Sequence, residues 1–172
     1  MLKYQNATVV FQEVPDEVSL AFSIANCGKK CKDCHSPSLQ QNVGEPLTFD
    51  EFKRYVLFYK PYITCVCLLG SGQASSNELA PYFQYAKQQG LKTCLYIGDD
   101  TDKYKDLHSC LDYIKIGAYI PSLGGLDCPS CNQKFYRIMG EKIENITYKF
   151  QIKTLKRLKE RENLDVLSKI KK

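Results

Sequence analysis

The sequence predicts an α/β protein: parallel strands forming an open sheet or partial β/α barrel, followed by a C-terminal helical tail. Three observations carry that expectation. Strand-like and helix-like segments alternate between residues 17 and 117, the pattern of a parallel sheet with right-handed crossovers. Two of the helical segments open on a capping box, which fixes where they begin. The repeating units number four or five, too few to close an eight-stranded barrel.

The elements follow in order. Residues 17–25, EVSLAFSIA, read as a strand running into a cysteine-rich loop. Thr48-Phe49-Asp50-Glu51 starts a helix; Phe49, Phe52, Val56 and Tyr59 keep helical spacing, and Pro61 ends it. Ile63 to Leu69 is apolar and β-branched enough for a buried strand. Ser75-Ser76-Asn77-Glu78 opens a second helix, which Gly90 stops. Leu91 to Ile97 is the next strand, a short helix is expected around 101–110, and Tyr113 to Gly117 is a further strand. A Gly- and Pro-rich loop spans 118–131, with a strand at 134–138. Ile152, Leu155, Leu158, Leu164 and Leu167 then mark one or two amphipathic helices. The division is a domain over 1–140 and a basic amphipathic tail over 141–172.

Composition narrows the functional classes. The net charge of +5 comes from the tail, which holds ten Lys/Arg against five Asp/Glu, while residues 1–140 are balanced at 14 against 14. No basic patch interleaved with aromatics marks a nucleic-acid surface, and no apolar run reaches the roughly 18 residues of a membrane span. The N-terminal segment lacks the long apolar stretch of a signal peptide, so a cytoplasmic location is expected. Nine cysteines in a reducing compartment then point to metal or redox chemistry rather than disulfides.

Three of those cysteines are clustered. Cys27-Gly28-Lys29-Lys30-Cys31-Lys32-Asp33-Cys34-His35 has the spacing C-x3-C-x2-C. A loop this short can wrap one [4Fe–4S] cubane, whose usual ligands are thiolates. With three rather than four close together, one iron is left open to a small molecule, as a catalytic zinc keeps an open position. A structural zinc on Cys27, Cys31, Cys34 and His35 is the competing reading, but adjacent Cys34 and His35 would strain one tetrahedral site. Loop lysines offset cluster charge and help keep the thiols ionised.

The motif C-x3-C-x2-C resembles the cluster motif of the radical S-adenosylmethionine superfamily. The wider string CGKKCKDCHSPSL over 27–39 is similar to the activating proteins of anaerobic ribonucleoside-triphosphate reductase. So are Phe11–Val18 upstream, Asp112–Gly117, Gly124-Gly125-Leu126-Asp127, and Asn132–Tyr136 downstream. The likeness covers roughly residues 7–137; the cysteine spacing alone identifies only the superfamily.

The resemblance implies roles for particular residues. Cys27, Cys31 and Cys34 would hold three irons, and the amino and carboxylate groups of S-adenosylmethionine the fourth. Asp33 and His35, flanking Cys34, would lie along the adenine; the family often has an aromatic or Gly where Asp33 stands. Gly70-Ser71-Gly72-Gln73 occupies the place of the family's Gly-Gly-acid motif, with Ser71 and Gln73 departing from its second Gly and its acid. Gly70 and Gly72 let the backbone approach a ligand, or simply make a tight strand–helix turn. Gln73 accepts hydrogen bonds but carries no charge. Lys115, ending a strand, could reach a carboxylate or ribose, or be a surface lysine.

The implied activity is reductive cleavage of S-adenosylmethionine and installation of a glycyl radical on the reductase, with a low-potential donor such as flavodoxin. Alternatives are another radical S-adenosylmethionine enzyme, acting on a different glycyl-radical enzyme or a nucleobase, and a non-enzymatic iron–sulfur or zinc protein. The buried-looking Cys65, Cys67, Cys94 and Cys110 read as small hydrophobes. Cys128-Pro129-Ser130-Cys131 stands where related proteins usually carry small hydroxyl residues. This pair could bind a second metal, act as accessory thiols or be incidental; with no partner ligands nearby in sequence, it reads as incidental.

Overall fold

A computed structural model describes residues 1–34, 36–152, 154 and 156 of the chain. Its central strands are β2 (Ser19–Ile24), β4 (Cys65–Leu69), β5 (Lys92–Tyr96) and β6 (Tyr113–Ile116), all parallel and adjacent in that order. β1 (Lys3–Val10) and β3 (Glu45–Pro46) extend one edge, and β7 (Lys134–Met139) and β8 (Lys142–Asn145) the other. The result is an open eight-stranded mixed sheet, so the α/β expectation holds and the parallel character is confined to the core.

The flanking strands are antiparallel for a reason of chain length. A parallel neighbour needs a crossover of a dozen or more residues, usually a helix. Residues 11–18 are too short for one, and 117–133 contain no helix. β7 and β8 are joined by the tight turn Gly140–Glu141, with Gly140 at φ +63°. The expected helical tail from 141 is therefore corrected: its first residues pair as an edge strand. Residues 148–152 are helical; the expected positions Leu155, Leu158, Leu164 and Leu167 lie outside the described residues. The helix expected over 101–110 reduces to a single 3-10 turn at Lys105–Leu107.

The two main helices begin where their caps predict. Thr48 Oγ1 accepts the Glu51 amide at 3.2 Å at the start of α1 (Phe49–Tyr59). The Ser75 amide donates to Glu78 Oε2 at 3.0 Å at the start of α2 (Ser76–Gln88). Both pack on one sheet face, over Leu20, Phe22, Val66, Leu68, Leu95 and Ile114. Burying such side chains stabilises a fold by about 1.5–3 kcal/mol each.

Strand alternation sends a different set to the opposite face: Ala21, Cys65, Cys67, Cys94, Tyr113 and Phe135. Here Val14, Leu126, Ile146 and Phe150 provide the cover. The three cysteines are fully buried, and burial pushes the Cys65 and Cys94 thiols well up, as befits inert packing groups.

At the amino ends of these strands Glu17 is buried and bonded three ways. Thr64 Oγ1 donates to it at 2.6 Å and Tyr113 Oη at 3.0 Å, and Lys92 pairs with it. No helix among the described residues is long and apolar enough to cross a membrane.

Candidate functional site

The cysteine loop leaves the carboxyl end of β2, the end of a parallel sheet at which ligand sites form. Its base is tied down by backbone bonds, Asn26 N to Gln41 O at 2.9 Å and Cys27 N to Leu39 O at 2.8 Å. Gln40 Nε2 reaches Cys31 O at 3.1 Å. Three non-glycine residues of the segment are left-handed: Asn26 (φ +64°), Lys30 (+46°) and Asp33 (+54°). Such backbone is strained for L-residues and clusters at ligand clamps.

Cys27, Cys31 and Cys34 are free thiols of intermediate exposure. Among the described residues, no three His, Cys, Asp or Glu side chains converge as a single metal ion would require. A cubane makes a different demand, because each thiolate binds its own iron. Cys27, Cys31 and Cys34 are free, partly exposed and carried on one loop anchored at its base.

The Gly70–Gln73 turn stands against this loop. Gly70 (φ +101°) and Gly72 (φ +58°) take conformations that favour glycine, and a Cβ on Gly72 would lie 2.9 Å from Ala25 O. The glycines thus make a tight turn that packs closely on the backbone of residues 24 and 25. Gln73 Nε2 donates to Asn26 Oδ1 at 3.2 Å, tying the turn to the loop. Ser71 is buried, with its hydroxyl directed to Gly72 O at 3.4 Å.

Between turn and loop lies a cavity of about 280 Å³, lined by Cys27, Gly28, Gly70 to Gln73, Ile97, Gly98 and Asp99, among others. Asp99 escaped the sequence reading. Its carboxylate takes Lys29 at one oxygen and Lys103 at the other, each at 3.0 Å. Burial pushes this carboxyl up, but the two ammonium groups outweigh it and hold Asp99 below the usual carboxylate range.

Lys115 is buried rather than a surface lysine. Its ammonium donates to Gly117 O at 2.6 Å and lies 5.9 Å from the centroid of the Tyr96 ring. Burial lowers its pKa to about 8, while the nearby thiols of Cys31, Cys131, Cys27 and Cys34 pull the other way. Lys115 is thus within electrostatic reach of the three loop cysteines and of a fourth, Cys131. Asp33 is exposed, and His35 lies outside the described residues.

The chain matches no known family model and no curated protein.

Proposed function

We propose that the chain is a radical S-adenosylmethionine enzyme that activates anaerobic ribonucleoside-triphosphate reductase by installing a glycyl radical. The observation that carries the reading is the single cavity shared by the cysteine loop and the Gly70–Gln73 turn at the carboxyl ends of parallel strands.

Cys27, Cys31 and Cys34 would hold the [4Fe–4S] cluster. A cluster held there would supply the single electron for reductive cleavage of S-adenosylmethionine, the chemistry by which hydrogen would be taken from a backbone glycine of the reductase. The protein's own part is to hold and orient. The Gly70–Gln73 backbone lies close enough to the loop to accept the ligand's amino group. Asp99, the one carboxylate lining the cavity among the described residues, would share its charge between Lys29, Lys103 and that amino group, where Gln73 carries no charge at all. Lys115, buried and cationic, suits the ligand's carboxylate or ribose. Asp33 and His35 belong to the adenine side, and the site works in the cytoplasm with a low-potential donor such as flavodoxin.

The test is anaerobic reconstitution with iron and sulfide, then dithionite and S-adenosylmethionine. Formation of 5′-deoxyadenosine supports the superfamily reading, and its absence under oxygen-free reducing conditions removes it. A glycyl doublet in the electron paramagnetic resonance spectrum of a reductase mixed with this protein tests the partner. Without that doublet, another radical S-adenosylmethionine activity takes its place.

A further inference from the structure

The pair Cys128 and Cys131 has no part in the proposed radical chemistry, yet the fold gives it a defined geometry. Cys131 N donates to Cys128 O at 3.1 Å across Pro129 and Ser130, a hydrogen-bonded β-turn. The ends of such a turn lie within about 7 Å, inside the span a disulfide bridges. Pro129 presets the backbone of the turn's first central position.

The two thiols differ in access. Cys128 is partly exposed, its Sγ 3.1 Å from Ser130 Oγ. Cys131 is only 4% exposed, with its thiol on Gln133 O at 3.4 Å. A carboxamide spans both: Gln151 Nε2 donates to Cys128 O at 3.2 Å and lies 4.0 Å from Cys131 Sγ. The loop is held to the end of β6 by Asn132 Nδ2 on Ala118 O (2.9 Å) and Gln133 Nε2 on Gly117 O (3.4 Å).

An outer thiol and a sheltered thiol at the two ends of one turn are the arrangement of an attacking and a resolving cysteine. We infer that Cys128 and Cys131 form a reversible dithiol–disulfide site that reacts with small disulfides of the glutathione class. Cys128 thiolate attacks the disulfide, forming a mixed disulfide and releasing one thiolate. Cys131 thiolate then attacks Cys128 Sγ, closing the intramolecular bond and releasing the second thiolate. Two protein S–H bonds are lost, one S–S bond forms, and two electrons and two protons leave as two molecules of thiol. The site is separate from the radical reading and stands or falls without it.

The experiment uses the full chain, as isolated and after anaerobic reconstitution, incubated in glutathione buffers stepped from reduced to oxidised. Free thiols are alkylated and every cysteine peptide is assigned by mass. The wild type is expected to show a Cys128–Cys131 disulfide that dithiothreitol reverses. Cys131→Ser should stop at a glutathione adduct on Cys128. Cys128→Ser should leave Cys131 unmodified, since it is sheltered. The inference is overturned if both cysteines stay alkylatable throughout, if wild type stops at the mixed disulfide, or if Cys131 reacts first. Retention of Cys131 by iron in the reconstituted protein overturns it equally.

Discussion

Lys29, inside the cysteine loop, and Asp99, at the carboxyl end of β5, are joined by an ion pair of 3.0 Å. Gly98 makes room for it, since a Cβ there would lie 3.0 Å from Lys29 Cγ. The pair fastens the loop to the sheet on the side where the cavity opens.

Asp99→Asn keeps the shape of that wall and removes its charge. The Lys29 and Asp99 side chains are 38% and 25% exposed, so folding stability should change by less than about 1 kcal/mol. S-adenosylmethionine binding to the reconstituted protein, measured by calorimetry, should weaken about tenfold, equivalent to about 1.4 kcal/mol. Gln73→Glu in the same background should recover most of the loss. Unchanged binding in Asp99→Asn would take the carboxylate out of the site.

Lys115 carries the clearest pH signature. Its folded-state pKa of about 8 lies below the usual lysine value of 10.5. The folded protein therefore binds fewer protons than the unfolded chain between those two values. The cost of the buried charge is fully present below pH 8 and is relieved as pH rises toward 10.5; at 1.36 kcal/mol per unit it is about 3 kcal/mol. Lys115→Met should stabilise the iron-free protein at pH 7 by about 1–3 kcal/mol in urea unfolding, allowing for relaxation around the site. The gain should shrink between pH 8 and 10.5. The same variant, once reconstituted, should lose S-adenosylmethionine affinity. A stability gain that does not change with pH would show that packing, not charge, is responsible.

The base of the sheet offers a test of the fold itself. Glu17→Gln leaves Lys92 without its counter-charge and turns one acceptor oxygen into a donor facing Thr64 or Tyr113. Lys92 is 46% exposed and can turn to water, so the cost is that of the mismatched buried groups, about 1–3 kcal/mol. Thermal unfolding should show it as a large fall in midpoint, with no effect on which cysteines take up iron.

What was legible in the sequence follows from the range of the forces involved. Caps act over three residues, so Thr48 and Ser75 announced both helices. Strands buried on both faces carry apolar side chains at nearly every position, so 65–69 and 113–116 stood out. β3 and β8 did not, because Glu45–Pro46 and Lys142–Asn145 are short, polar edge strands held by bonds from β1 and β7 rather than by their own residues. The cysteine motif named its own loop. Asp99 reaches that loop only through the place of β5 in the sheet, which no local pattern encodes.

Asp33 tests whether the loop is held under strain. At φ +54° an aspartate is tolerated, while a β-branched residue meets a steric penalty of about 1–2 kcal/mol. Asp33→Val should thus lower stability by that amount in the iron-free protein, and Asp33→Gly should be neutral or slightly stabilising. If the two variants melt together, the left-handed turn before Cys34 is absent in solution.

The cysteines themselves divide into three classes by environment, and alanine or serine replacement should separate them. Cys27→Ala, Cys31→Ala or Cys34→Ala should each abolish iron uptake and 5′-deoxyadenosine formation while leaving the fold intact, because these thiols are partly exposed and pack little. Cys67→Ser should do the reverse. It places a hydroxyl among Ala21, Cys94 and Phe135 on a fully buried face, costing about 1–3 kcal/mol unless the hydroxyl finds a partner, yet it lies outside the cluster loop. Cys128→Ser with Cys131→Ser should keep most of both properties, since serine is nearly isosteric with cysteine and both positions lie outside the cluster loop. Iron and sulfide content, urea unfolding and product formation measured on the same preparations resolve the classes. Loss of the cluster in the double variant would make Cys131 a ligand and close the open iron on which the radical reading depends.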